Sequence, residues 1–79
     1  MERTMILNHL AQAERHVKAG EQHVARQRAL IGDLERDGRD TAVAIKLLQE
    51  FEALQMMHIA DRDRLVAELA QVDSTAAGR

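Results

Sequence analysis

Three histidines follow one another at a regular interval in the first half of the chain. His9, His16 and His23 are spaced by seven residues, which places their rings on one stripe of a helix. Seven residues rise about 10.5 Å along a helix, too far for two of these rings to share one metal ion. A metal site would therefore need His58 or an acidic residue from another helix, with His16, His23 and His58 as the candidate ligands. We expect no metal, because a sequence that repeats every seven residues also repeats its flanking side chains.

A fourth histidine, His58, interrupts the apolar face of the second half of the chain. The simpler interpretation is a buried ring that hydrogen-bonds to Asp61, Gln27 or Gln55. The functional interpretation is a pH-responsive group, since histidine is the side chain that ordinarily changes its charge near neutral pH. Together with the histidine stripe, His58 keeps a histidine-dependent metal- or pH-responsive protein open as an alternative function.

Residues whose chemistry could support catalysis are few. Cysteine is absent, which removes disulfides, thiolate ligands and thiol nucleophiles and is consistent with a reducing compartment. The chain contains neither a glycine-rich phosphate loop nor a nucleophile elbow, and Ser74 has no base near it in sequence. We therefore predict a protein that is not an enzyme, with no catalytic residue and no cofactor.

Charge and hydropathy limit the partners of the chain. Its 11 basic and 13 acidic side chains are interspersed and give a formal net charge of −2, so no basic patch stands out. Phe51 is the one aromatic residue, which excludes stacking platforms for single-stranded nucleic acid. No run approaches the roughly 20 apolar residues of a membrane span. We expect a cytoplasmic protein that binds neither a membrane nor specific nucleic acid, and a small nucleic-acid-associated regulator stays an alternative.

The absence of proline permits long helices, and helix-forming residues dominate two segments. The predicted boundaries are a single domain over 1–79, with a helix over about 2–36, a turn at 37–40, a helix over about 41–72 and a frayed tail at 73–79. Gly38 suits the left-handed position that ends a helix, and Asp40 suits the N-cap of the next one. So short a connection makes the two helices antiparallel neighbours.

A heptad seam runs along the first helical segment. Mostly apolar or small residues alternate at spacings of four and three, as they do in coiled coils. The a positions are Leu10, Val17, Val24 and Ile31, and the d positions are Ile6, Ala13, Gly20, Gln27 and Leu34. The segment from Glu14 to Gly20 is echoed by the segment from Glu21 to Gln27, so the repeat belongs to one helix rather than to separate modules.

The second segment carries an apolar face that is wider than one partner helix can cover. With a turn centred near Gly38, we expect Gln27 opposite Phe51 and Gly20 opposite His58. The residues predicted to form the core or an interface are Leu10, Val17, Val24, Ile31, Leu34, Leu48, Phe51, Leu54, His58, Leu65 and Leu69.

A lone hairpin of this size leaves apolar residues such as Met56, Met57 and Val66 uncovered. Two hairpins that pack against each other would cover many of them. We therefore predict an all-α fold, a coiled-coil-like antiparallel hairpin of two helices that forms a homodimeric four-helix bundle.

Three stretches of the sequence resemble a group of short helical proteins that recur in soil proteobacteria and have no assigned function. The stretches are Ala13–Val17, Gly20–Gln27 and Leu34–Ala42, and the likeness extends from about Leu10 to Leu69. The resemblance implies a bacterial, cytoplasmic protein and brings no activity with it. The favoured hypothesis is a non-catalytic module for protein–protein interaction, an adaptor that pairs with itself and presents a helix face to another protein.

Overall fold

The computed structural model describes residues 2–77 and confirms the helical hairpin. Helix α1 spans Arg3–Arg36 and helix α2 spans Ala42–Ala77, and no strand occurs in this part of the chain. The helices run antiparallel, since Arg3 near the start of α1 contacts Asp73 near the end of α2. The all-α class and the two-helix architecture predicted from the periodic segments are therefore correct for the single chain.

The end of α1 has the chemistry that the sequence predicts. Gly38 adopts a left-handed conformation with φ of +68°, which a residue with a side chain rarely tolerates. The N–H of Gly38 donates to the carbonyl of Glu35 at 3.1 Å, and the N–H of Arg39 donates to the carbonyl of Leu34 at 2.9 Å. These two bonds form a Schellman motif, which pairs the last free carbonyls of the helix and reverses the chain.

The start of α2 lies one residue later than the sequence predicts. The carbonyl of Thr41 accepts the first helical hydrogen bond, from the N–H of Ile45 at 2.8 Å. The carboxylate of Asp40 accepts a hydrogen bond from the N–H of Ala42 at 2.9 Å. Asp40 therefore pairs one of the free N–H groups of the first turn, although Thr41 occupies the N-cap position.

The end of α2 also differs from the expectation. The sequence predicts a frayed tail from Asp73 onward, whereas α2 continues through Ala77, and residues 78–79 lie outside the described part of the chain. Nε of Arg3 donates to Oδ1 of Asp73 at 2.8 Å. This ion pair connects the last turns of α2 to the start of α1, beyond the last apolar residue of the seam.

The hairpin is a rod rather than a globule. Its extents are 64 × 15 × 14 Å and its radius of gyration is 18.0 Å. A compact domain of this length has a radius of gyration of about 12 Å. A single layer of side chains lies between the helices, so the core is small. Its buried apolar residues are Ile6, Ala13, Val17, Ile31, Ala44 and Leu65.

The register of the two helices differs from the predicted one by about one helical turn. Gly20 contacts Gln55 rather than His58, and Phe51 stacks on His23. The side chain of Gln55 fills the space beside Gly20 and reaches the backbone of α1. A pattern of apolar residues does not reveal such a polar contact, and for this reason the predicted register is wrong.

The predicted core residues are buried to different degrees. Val17, Ile31 and Leu65 are buried, whereas the side chain of Leu54 is 49% exposed. The remaining ones are half-buried, namely Leu10, Val24, Leu34, Leu48, Phe51, His58 and Leu69. Leu54 therefore belongs to an outer face of the hairpin and not to its seam.

Candidate functional site

Two glutamines make polar contacts across the seam. Nε2 of Gln27 in α1 donates to the carbonyl of Ala44 at 2.9 Å, and Nε2 of Gln55 in α2 donates to the carbonyl of Val17 at 2.8 Å. Both glutamines are buried. Each helix thus sends one side-chain amide to the backbone of the other, and hydrogen bonds hold a register more tightly than apolar contacts because they depend on distance and angle.

Sequence reasoning placed Gln27 on the seam but missed Gln55 as a core residue. The heptad spacing of α2 indicates that Gln55 lies on the seam, since Leu48, Gln55 and Leu69 share one heptad position. Gln27, which was expected opposite Phe51, bonds to the backbone of Ala44, and Phe51 stacks on His23.

The buried amide of Gln55 depends on Gly20. A Cβ atom at position 20 would overlap the Oε1 and Cδ atoms of Gln55. Among the described residues, Oε1 of Gln55 is a buried side-chain oxygen with no hydrogen-bond partner. An unpaired buried acceptor costs about 1–3 kcal/mol. Gln55 therefore favours one register through its contacts with α1, while its unpaired oxygen lowers the free energy of unfolding.

Three histidines and one phenylalanine form ring pairs on one outer flank of the hairpin. The rings of His16 and His58 have centroids 5.2 Å apart and are tilted by 48°, and His23 stacks on Phe51 with centroids 5.7 Å apart and 24° between the planes. Leu54 lines the same groove and lies between Phe51 and His58 in sequence. We call His16, His23, Phe51, Leu54 and His58 the histidine face.

A groove of about 340 Å³ lies between the two ring pairs of the histidine face. Ala19 and Gly20 line it on the α1 side, and the side chain of Gln55 occupies the space beside Gly20. No carboxylate, ammonium or guanidinium group belongs to the residues that line it. This groove can accept an apolar side chain without burying a permanent charge.

The candidate metal ligands come together only in part. His16 and His58 are neighbours, whereas His23 packs on Phe51. Within residues 2–77, no group of three or more histidine, aspartate or glutamate side chains is placed to hold a metal ion. One hairpin therefore offers at most two of the imidazoles that a metal site would use.

The hydrogen bond expected for His58 is not formed. Asp61 accepts a hydrogen bond from Arg64 at 2.7 Å, and Gln27 and Gln55 both donate to backbone carbonyls. None of these three residues is the partner of the ring. His58 is instead half-buried against His16.

A charged groove continues from the histidine face toward the open end of the hairpin. His9, His16, Asp61 and Arg64 are among its lining residues. Arg64 donates to Asp61 at 2.7 Å and to Glu68 at 2.6 Å. The hydrogen bond to Asp61, followed by that to Glu68, raises the pKa of the Arg64 guanidinium above its ordinary value. The carboxylate of Asp61 thus pairs with Arg64 rather than with a histidine.

The opposite flank of the hairpin carries a second groove of about 410 Å³. We call it the methionine face, and the residues that define it are Glu21, Val24, Arg28, Glu52, Met56 and Ile59. Met56 is 72% exposed, and Arg28 pairs with Glu52 at 3.0 Å. The two outer faces therefore differ in charge, since the methionine face has acidic and basic side chains at its rim.

Comparison with known proteins adds no constraint on these surfaces. No protein-family model matches the chain, and no curated protein and no solved structure matches it either. Within residues 2–77, neither helix combines the length and the apolar character that crossing a membrane requires. The function must therefore be argued from the two outer faces of the hairpin.

Proposed function

We propose that this protein is a small non-catalytic interaction module of the bacterial cytoplasm that acts as a homodimer, with two hairpins packed into a four-helix bundle. The observation that supports the proposal is the apolar surface left outside the seam. The large apolar side chains exposed on the single hairpin are Met5, Leu7, Leu30, Val43, Ile45, Leu47, Leu54, Met56, Met57 and Val66. Large exposed apolar surfaces are uncommon on monomers and mark interaction sites.

The dimensions of the hairpin suit pairing along its length. A flank 64 Å long and 15 Å wide is comparable to the roughly 800 Å² that each partner contributes to a stable interface. Two such rods side by side reproduce the packing of a four-helix bundle, in which each helix has two neighbours. The second hairpin supplies the core that a single layer of side chains cannot.

A homodimer built on one flank leaves the other flank for another protein. Exposed apolar residues along one side of a helix are the surface that helix-in-groove recognition uses. Met56 and Met57 are both strongly exposed, and methionine adapts its shape to different partners. We place the partner protein of the adaptor on the flank that does not pair with the second hairpin.

A histidine-dependent response to pH is a second candidate function, and the contact between His16 and His58 favours it. Two imidazole rings at this separation repel each other when both are charged. Nucleic-acid binding has less support, because several arginines are paired with carboxylates and offer less positive charge to phosphates. These arginines are Arg3, Arg28, Arg36, Arg62 and Arg64.

Sedimentation equilibrium at micromolar protein concentration tests the homodimer. We expect a species of twice the 8.9 kDa chain mass. A monomer at tens of micromolar would contradict the proposal. To test the adaptor role, the protein is crosslinked in its source cell and purified, with Met56→Glu as the matched variant. We expect one stoichiometric protein partner, with lower recovery by the variant, while the variant keeps the dimer mass.

A further inference from the structure

The two outer faces differ in how well each could meet a second copy of itself. In a two-fold symmetric dimer the same surface of both subunits comes together, so the net charge of that surface meets an equal net charge on the other copy. The histidine face and the methionine face are both apolar enough to pair. Their charges decide which one does, and this inference rests on the homodimer proposed above.

The methionine face is a poor surface for self-association. Glu21 and Glu52 lie at its rim, and Glu14 and Glu35 share the stripe of Glu21 at heptad spacing. Arg28 is the basic residue of that stripe, and it already pairs with Glu52. Two copies joined here would bring two net negative surfaces together, which disfavours association.

The histidine face has no such conflict. The groove between its ring pairs is lined by side chains without a permanent charge, whereas Glu21, Arg28 and Glu52 line the groove of the methionine face. At neutral pH, where histidine is mostly uncharged, two copies of this face meet without burying a permanent charge.

The shape of the histidine face is also self-complementary. His16, Ala19, Gly20 and His23 stand at positions i, i+3, i+4 and i+7, the four corners of a hole in coiled-coil packing, and all four line the groove. Leu54 on the neighbouring helix is 49% exposed at the same groove. A two-fold axis along the rods places α1 of one copy over α2 of the other, so that each copy offers both a hole and a knob.

We propose that a second copy of this chain docks on the histidine face, with Leu54 of each copy inserted between His16 and His23 of the other. The contact covers the groove between the two ring pairs. The methionine face stays free on both outer sides of the resulting bundle.

This arrangement makes the dimer sensitive to acid. Docking removes His16, His23 and His58 of both copies from water, and the residues that line the groove around them include no carboxylate. Charging these rings at the interface costs desolvation and repulsion, so the monomer binds more protons than the dimer. The dimer should therefore be weaker at a pH low enough to charge these rings than it is at neutral pH.

Sedimentation equilibrium at pH 7.5 on wild type, Leu54→Glu and Met56→Glu tests the position of the interface. Both side chains are exposed in the hairpin, so both variants should fold, which circular dichroism checks. We expect the wild type and Met56→Glu to be dimers and Leu54→Glu to be a monomer. A dimeric Leu54→Glu, or loss of the dimer in Met56→Glu, would overturn the inference while the homodimer stands. A monomeric wild type would contradict both this inference and the proposed homodimer.

A second experiment compares the dissociation constant of the dimer at pH 7.5 and at pH 5. For wild type we expect the constant to rise by at least about tenfold on acidification, as expected for proton uptake linked to dissociation. The control His9→Gln should behave like wild type, because His9 lines the neighbouring groove. The double variant His16→Gln with His58→Gln should lose most of the pH dependence. A wild-type constant that does not change with pH would contradict burial of the rings, whatever the double variant does.

Discussion

The seam between the helices is built differently at its two ends. Toward the chain termini it is aliphatic, with Ile6 and Leu65 almost completely buried. Toward the middle and the turn it also contains polar groups, since Gln55 and Gln27 bond to the backbone of the opposite helix. Apolar contacts gain free energy from burial and tolerate sliding, whereas a buried hydrogen bond gains little and is lost when the partner moves. The comparison indicates that one end supplies stability and the other fixes the register.

The largest expected effect is on the aliphatic end. Leu65 is 1% exposed, and Leu65→Ala should lower the free energy of unfolding by about 2–5 kcal/mol, because it removes buried methyl groups and leaves a cavity. Urea denaturation at a fixed protein concentration measures this loss. Val43→Ala on the same helix is the control, since Val43 is 82% exposed and should change stability by less than about 0.5 kcal/mol. Equal losses in the two variants would show that the seam does not lie at Leu65.

Substitutions of two glycines test the role of the polar contacts in the middle of the seam. Gly20→Ala should lower the free energy of unfolding by about 1–3 kcal/mol, because the new methyl group displaces the buried amide of Gln55 and breaks its bond to Val17. Gly32→Ala should raise it by about 0.5–1 kcal/mol, since alanine favours helix and its Cβ would lie 3.6 Å from Nη1 of Arg36, an ordinary contact. Thermal melts of both variants give the comparison, and a stabilising Gly20→Ala would place Gln55 elsewhere.

A smaller effect is expected when the amide of Gln55 is replaced by an apolar group. Gln55→Leu removes an unpaired buried oxygen together with a hydrogen bond, so the free energy of unfolding should stay equal or rise by up to about 1 kcal/mol. The register should become less defined, which would appear as additional sets of amide resonances in the nuclear magnetic resonance spectrum. A clear loss of stability with a single sharp set of resonances would show that Gln55 stabilises the seam instead.

The smallest expected effect concerns the ion pair that joins the helix ends. Arg3 and Asp73 are both about half exposed, so Arg3→Ala should lower the free energy of unfolding by no more than about 0.5 kcal/mol. The loss should shrink further in high salt. Urea melts at low and high salt measure it, and a loss above about 1 kcal/mol would mean that the aliphatic end depends on this pair.

The sequence alone determined the two helices and the turn between them. These features depend on local chemistry, namely the absence of proline, the heptad spacing of apolar residues, the glycine at position 38 and the carboxylate of Asp40. The stripe of His9, His16 and His23 could also be predicted from the sequence, because residues seven apart lie on the same side of a helix. Each of these inferences uses neighbours along one chain segment.

The register of the two helices and the composition of the two outer faces depend on how the helices pack against each other. Seam positions recur every three or four residues along each helix, so registers one turn apart bury similar apolar residues and periodicity cannot choose between them. The observed register has Gln55 beside Gly20, with bonds from Gln55 to the Val17 carbonyl and from Gln27 to the Ala44 carbonyl. That fit brings His16 against His58 and His23 against Phe51. Distances between residues far apart in the chain follow from packing, which a single sequence does not contain.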